Sequence, residues 1–392
     1  LEVLAGFPDN ALIIEFTNLL GDKNRQYDCH SSQDLGLCTN LHVHGLHVSP
    51  KGSTDPAQIQ SDFVFLAISP ATQTVRYDYD LLNSHPPGTH WLHSHLHGST
   101  APQVKNGMAG ALILRGELDS ILANDYGISD SKDKIMVLQQ MSVQNDSKGN
   151  PIPLCGNHNG IPITTSINGQ CLPVITAKAG EIQRWRFIDA GISASVNIAL
   201  LQQNQVEKID LNEFARDGIT MNGIQVQQNI MLQPGYRSDV LIRFPECISY
   251  PCELYLVDDA SSAAVSLLGV SEPSNQIAKI VIQEKAPKPM TIPSSAVFKN
   301  PYPFVCDPAD FKNCSERLPK QNVWFANVAN SSGGVDKTAN GGIYPNTPTK
   351  QLALNGSNTW KLWVGDKQNS AANHPFHIHV NPFQVVDQNG FS

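Results

Sequence analysis

GEIQRWRFID (180–189) decides the fold class. Arg184, Trp185, Arg186 and Phe187 alternate polar and apolar side chains, and Asp189 stops the run. Successive residues of an extended chain face opposite sides, so a period of two marks a β-strand with one face turned to a core. NALIIEFTN (10–18) and NTWKLWVGD (358–366) share its plan of polar start, alternating strand and polar stop. Other apolar runs are equally short, among them FVFLAI, GALIL, KIMVL, DVLIRF, ELYLV and IAKIVI, with Gly, Pro, Asn and Asp between them. Few windows keep a helical period, so the chain reads as all-β, of sandwich type. LDSILANDYG (118–127) is the one segment read as a short helix.

The repeated strand plan predicts three related sandwiches, over residues 1–120, 121–287 and 288–392. The second boundary falls in QEKAPKPMTIP (283–293), which reads as a linker. The length of 392 residues accommodates this at roughly 100–200 residues per domain. No stretch approaches the roughly 20 apolar residues of a membrane span. The net charge is −8 and no basic cluster occurs, so neither nucleic acid nor an anionic membrane is an expected partner. Nothing points to an oligomer, and a monomer is the default expectation.

The eight cysteines fall into four close pairs, Cys29/Cys38, Cys155/Cys171, Cys247/Cys252 and Cys306/Cys314, none with the C-x-x-C spacing of a zinc site. They read as four local disulfides and hence an oxidising, extracytoplasmic compartment. N-x-[ST] sequons at Asn145, Asn313, Asn330 and Asn355 agree with secretion and glycosylation. Leu1 begins no recognisable signal peptide, which reads as a mature or cut chain.

The 13 histidines are not scattered: eight lie in 42–97, three in 374–379, and only His30 and His158 elsewhere. LHVHG (41–45), WLHSHLHG (91–98) and HPFHIH (374–379) each hold an H-x-H pair. In an extended stretch such a pair shares one face, its residues about 6–7 Å apart at their base. One pair alone is ordinary in a strand; three in a chain otherwise poor in histidine point to metal. Six neutral imidazoles, without a carboxylate at ligand spacing, suit copper, zinc, iron or nickel rather than calcium or magnesium, and their number argues for a multinuclear cluster. His47, His90 and His97 break the spacing and read as supports that hold a ligand through the other ring nitrogen. His85 reads as a loop residue, and His30 and His158 as ordinary ones.

On these residues the sequence resembles the multicopper oxidases, the laccase-like family of three cupredoxin domains, over nearly its whole length. LHVHG resembles that family's first histidine motif, GTHWLHSH (88–95) the second and HPFHIHVNPFQVV (374–386) the third; NGMAGALIL (106–114) resembles the strand after the second. INGQCLPVITAKAGEIQRWRFID (167–189) and ARDGITMNGIQVQQNIMLQPGYRSDVLIRF (215–244) resemble its copper-free middle domain. The resemblance implies copper as cofactor. His42 and His377 would bind the type 2 ion, His44, His93, His95 and His379 the type 3 pair, and His374 the type 1 ion. Asp62 would match an acidic residue that delivers protons. The implied reaction removes single electrons from a small reducing substrate and reduces dioxygen to water. Phenols and aromatic donors are the default substrates; tetrapyrroles and ferrous iron stay open, and six unclustered methionines weaken a cuprous reading.

One departure matters. The family's fourth motif, His-Cys-His, occurs nowhere in these residues. The expectation is that these residues are part of a longer chain, with four coppers in the whole and the third sandwich incomplete here. The alternative is a copper-binding relative with an incomplete copper set and no oxidase activity. A cupin metal enzyme would need a glutamate after the second motif, where LHGSTAPQ (96–103) has none. A copper nitrite reductase would need a complete type 1 cysteine in the first domain, and none of that domain's cysteines is suitably flanked by histidine.

Overall fold

The computed structural model describes residues 1–4, 11–22, 24–31, 33–52, 55, 58–70, 74–81, 85–145, 151–158, 161–162, 165–267, 269–329, 335–343, 350–353, 355–365 and 373–385. The sequon at Asn330 lies outside them. The chain divides into two compact units, Leu1–Ser261 with Pro273–Pro301, and Ser262–Glu272 with Tyr302–Ser392.

In the first unit, a four-stranded sheet runs Glu2–Leu4, Ala109–Arg115, Gly88–His93, His42–His44, beside a three-stranded sheet of Ala11–Thr17, Thr74–Asp80 and Gln58–Ile59. Thr74–Asp80 shows why these residues form a sandwich strand: Val75, Tyr77 and Tyr79 are buried while Thr74, Arg76 and Asp80 are exposed. The buried set joins Leu12, Val43, Ile59, Leu112 and Leu114 in one core. The same unit holds a six-stranded sheet, centred on Ile182–Asp189 and Arg237–Arg243, and a five-stranded sheet centred on Cys252–Asp258 and Asn275–Lys285. Trp185, Phe187, Val240, Ile242, Leu254 and Ile280 fill the core they share. The all-β, cupredoxin-type reading holds.

The expected helix forms at Glu117–Tyr126. Asp119 accepts the Gly116 N–H at its start (2.8 Å), and Gly127, at φ +70°, ends it. All four disulfides form as paired in the sequence. The linker-like stretch is less loose than its composition suggests. Ala286 N–H donates to Ala179 O (2.9 Å) and Met290 N–H to Gly180 O (2.8 Å), which ties it to the edge of the five-stranded sheet.

Ile182–Asp189 departs from the half-exposed strand its pattern suggests, because all eight residues are buried. Trp185 and Phe187 enter the core, while Arg184 and Arg186 enter an ion-pair network with Asp119, Asp133 and Asp239. Arg186 also reaches Thr89 Oγ1 (3.0 Å) on Gly88–His93, which couples the two pairs of sheets. Their backbones meet closely: a Cβ added to Gly88 would lie 2.0 Å from Gly218 O.

Asp189 ends this strand fully buried, with Oδ1 accepting the Gly191 N–H (2.9 Å) and, among the described residues, no hydrogen-bond partner at Oδ2. Burial pushes its carboxyl well above the usual value against that bond, and the Asp258 charge adds to the rise. Its unfolded carboxyl ionises near pH 4, so the native state binds more protons above that pH. Stability from this group is therefore present below about pH 4 and lost as pH rises toward the folded value. Asp189→Asn is expected to flatten that slope and to make the protein more stable than the wild type at pH 7, which urea unfolding at pH 5 and pH 7 checks. An unchanged slope would refute it.

The second unit holds a three-stranded sheet of Val335–Ala339, Lys320–Ala329 and Thr359–Val364, with the helix Phe311–Arg317. Asn373 Nδ2 donates to Ala264 O (3.1 Å) and Ser266 O (2.7 Å), so the segment before His374 is fastened to Ser262–Glu272.

Candidate metal centre

The first two histidine motifs meet on neighbouring strands. His42–His44 pairs antiparallel with Gly88–His93, in a register that sets His42 opposite His93 and His44 opposite Trp91. Cross-strand partners share a face, so the pairing gathers both motifs on one side. The His42 ring lies 5.5 Å from His44, 4.9 Å from His93 and 4.9 Å from His95, centroid to centroid. The His93 ring is 5.9 Å from that of His95. Trp91 stacks on His93 at 4.1 Å and packs against His44 at 5.0 Å, an apolar backing for both imidazoles.

Hydrogen bonds set which ring nitrogen carries a proton. Asp62, 4% exposed, places Oδ2 2.6 Å from His42 Nδ1 and accepts the Val43 N–H on Oδ1 (3.1 Å). The carboxylate holds the proton on Nδ1 and makes Nε2 the lone-pair nitrogen of His42. Ser94 O, 2.8 Å from His93 Nδ1, does the same for His93. His44 Nδ1 then lies 3.2 Å from His93 Nε2, a separation at which two donors converge on one ion with metal–nitrogen bonds of about 2.0–2.1 Å. Burial lowers the His95 pKa, against a backbone hydrogen bond and the Asp62 charge, and so favours the neutral form a ligand requires. Three imidazoles gathered around His42, with two tautomers of the four fixed by oxygen acceptors, fit copper: the donors are nitrogen only and His42, His44 and His93 are buried.

In the second unit the third motif is not a strand; residues 373–378 have no regular structure and the chain bends at 379–380. His377 and His379 nevertheless lie 4.9 Å apart, centroid to centroid. The Asn381 N–H donates to His379 O (2.9 Å) around Val380 at φ +72°, a γ-turn that ends the motif. His374 stacks on Phe325 at 4.7 Å and its Nδ1 donates to Pro375 O (2.6 Å). Phe376 packs against Phe325, Trp360 and Phe383, anchoring the segment to the sheet.

Two of the histidines read as supports, His47 and His90, form a different arrangement with the loop residue His85. His85 Nδ1 donates to Pro86 O (2.9 Å), and its Nε2 accepts the His47 N–H (2.9 Å). The His47 and His85 rings lie 5.0 Å apart, and those of His85 and His90 5.8 Å apart. Among the described residues neither ring nitrogen of His90 has a hydrogen-bond partner, so His90 does not hold a ligand imidazole; it fills the space beside Gly45, Gly218 and Arg237. Burial, aided by the charges of His85 and Arg237, lowers His47 to about 4. Sequence reasoning missed Asn40, whose Oδ1 accepts the His95 N–H (2.6 Å); its place two residues before His42 was the only signal.

Comparisons with known proteins point to one family. Two family models described as multicopper oxidase match, one over residues 22–119 and one over 317–392. A multicopper oxidase of Staphylococcus haemolyticus is 23% identical over 365 residues, covering 90% of this chain and 64% of that protein. Laccase-4 of Thanatephorus cucumeris is 25% identical over 430 residues, covering 97% of this chain and 72% of that protein. A laccase structure from Pediococcus acidilactici superposes with a TM-score of 0.66 at 19% identity, over all of this chain and 71% of that one, and shows the shared fold. The chain spans 64% of the length of the staphylococcal relatives it matches. Models of this family match both histidine-bearing ends and the fold between them is the one these enzymes share, so the chain is similar to the multicopper oxidases at its sites and in its fold.

Proposed function

We propose that this chain is the copper-binding part of a laccase-like oxidase that takes single electrons from phenolic or aromatic donors and reduces dioxygen to water. The observation that carries it is the closed group of His42, His44, His93 and His95, with the lone pair of His42 set by Asp62. In this reading the molecule has three cupredoxin domains at 1–120, 121–287 and 288–392. His42 and His377 bind the type 2 ion, His44, His93, His95 and His379 the type 3 pair, and His374 the type 1 ion. Copper held there would cycle between two oxidation states and carry electrons to dioxygen. The protein's part is to hold the imidazoles neutral and oriented, to keep Trp91 and the strand pair as a dry wall, and to deliver protons from Asp62. The four disulfides support an extracytoplasmic location.

The alternative is a copper-binding relative without oxidase activity. All eight cysteines are in disulfides, so none of these 392 residues offers a thiolate to a type 1 ion. Copper bound by these residues alone is expected to show no intense blue absorption. The deciding experiment is a copper titration of the purified chain with a competing chelator, followed by oxygen uptake with a methoxyphenol. Copper bound with oxygen uptake supports the oxidase. Tight copper without uptake supports the alternative, and no tight copper binding sinks both.

A further inference from the structure

We infer that Asn40 is a positioning residue, whose amide sets the place of His95 in the second motif relative to His42 in the first. This rests on the copper reading above and adds to it a residue that touches no metal.

His93 is the last residue of its strand, so no ladder hydrogen bond fixes the backbone at His95. Asn40 replaces that bond: its Oδ1 accepts the His95 N–H at 2.6 Å. The other end of the same amide donates from Nδ2 to Val64 O (2.7 Å) and Leu66 O (3.1 Å). Asn40 is 1% exposed, so these three bonds form in dry surroundings, where a lost partner leaves a buried N–H or C=O unpaired.

The 62–68 stretch is tied to the first motif at three places. Asp62 holds His42 and the Val43 N–H, Asn40 takes the carbonyls of Val64 and Leu66, and Thr39 forms a two-bond bridge with Ile68. Of these ties, Asn40 also hydrogen-bonds the backbone of the second motif. A single side chain thus joins the stretch that orients His42 to the backbone that carries His95, and the two rings stand 4.9 Å apart. Ligands held by such outer bonds lose about 10–100-fold in metal affinity when the bond is removed.

Asn18 provides the control. It is 2% exposed, and its amide also makes three bonds, to Leu37 O (2.8 Å), Ile68 O (2.8 Å) and the Leu20 N–H (3.0 Å), none of them to a motif histidine. The test compares Asn40→Ala with Asn18→Ala by cuprous-ion competition, thermal unfolding of the copper-free protein, and amide hydrogen exchange over 91–98. Asn40→Ala is expected to weaken copper binding about tenfold or more and to speed exchange at His95. Asn18→Ala is expected to unfold at a similarly lowered temperature with copper affinity unchanged. Wild-type affinity in Asn40→Ala, or an equal loss in Asn18→Ala, overturns the inference. So does fast exchange of the His95 amide in the wild-type protein, a measurement that needs no variant to fold. Failure of the wild type to bind copper would instead refute the copper reading.

Discussion

Arg186→Met is expected to lower folding stability by about 3–5 kcal/mol, the scale for breaking a buried ion pair by removing one partner. Arg186 is fully buried. Its Nε and Nη2 grip Asp133 Oδ1 and Oδ2, both at 2.8 Å, and Nη2 also reaches Asp119 Oδ1 at 2.7 Å. Arg184 binds Asp119 Oδ1 (2.7 Å) and Asp239 Oδ2 (2.6 Å), and Arg115 binds Asp133 Oδ2 (2.5 Å). Three guanidinium groups therefore balance three carboxylates, and methionine would leave the carboxylates one positive charge short in a dry site. Burial by itself would raise the Asp133 carboxyl; the Arg186 hydrogen bond and the charges of Arg184, Arg186 and Arg115 outweigh it and hold the group well below the usual range. Asp119 is lowered in the same way, its burial outweighed by Arg184 and Arg186. A lowered carboxylate stabilises the fold above its unfolded pKa near 4 and loses that contribution as pH falls through the folded value. The variant should therefore also show a shallower loss of stability below about pH 4. Urea unfolding measures both effects, with Lys285→Met, which breaks an exposed pair with Glu246, as the reference. A shift no larger than that of the exposed pair would show that the network does not hold the sheets together.

Asp62→Asn is expected to weaken copper binding by about 10–100-fold while leaving the fold intact. Asparagine keeps an oxygen for the Val43 N–H, but presents an N–H₂ to His42 Nδ1 in place of a carboxylate oxygen. Two donors cannot face each other, so the imidazole shifts its proton to Nε2 and loses the lone pair that serves as donor. Chelator competition on the wild type and the variant, with circular dichroism to verify the fold, checks this. Affinity within twofold of the wild type would remove Asp62 from the site.

Much of this molecule is legible from local order along the chain. Most of the alternating runs became strands, as Ala11–Thr17 and Cys252–Asp258 did, because burying every second side chain is a short-range pattern; FVFLAI (63–68) did not, and holds a turn at 64–65 and a single bridge from Ile68 to Thr39. The cysteine pairs closed as spaced, since separations of 5–16 residues make neighbours of the half-cystines. The helix announced by LDSILANDYG formed between a cap at Gly116 and a stop at Gly127. HPFHIH misled in one respect: its histidines come close without a strand, on a segment anchored by Asn373 and Phe376 instead.

The residues alone determined a sandwich protein with two histidine-rich ends and disulfide-closed loops, because those features repeat over a few positions. Only tertiary structure decided that Arg184 and Arg186 are buried, that Asp62 and Asn40 set the imidazoles, and that the His90 ring nitrogens find no hydrogen bond among the described residues. Those outcomes depend on groups 20 to 97 positions apart, such as Asp62 with His42 and Arg186 with Thr89. No periodicity in the chain encodes such pairs; they arise when sheets pack and each buried polar atom must find a partner.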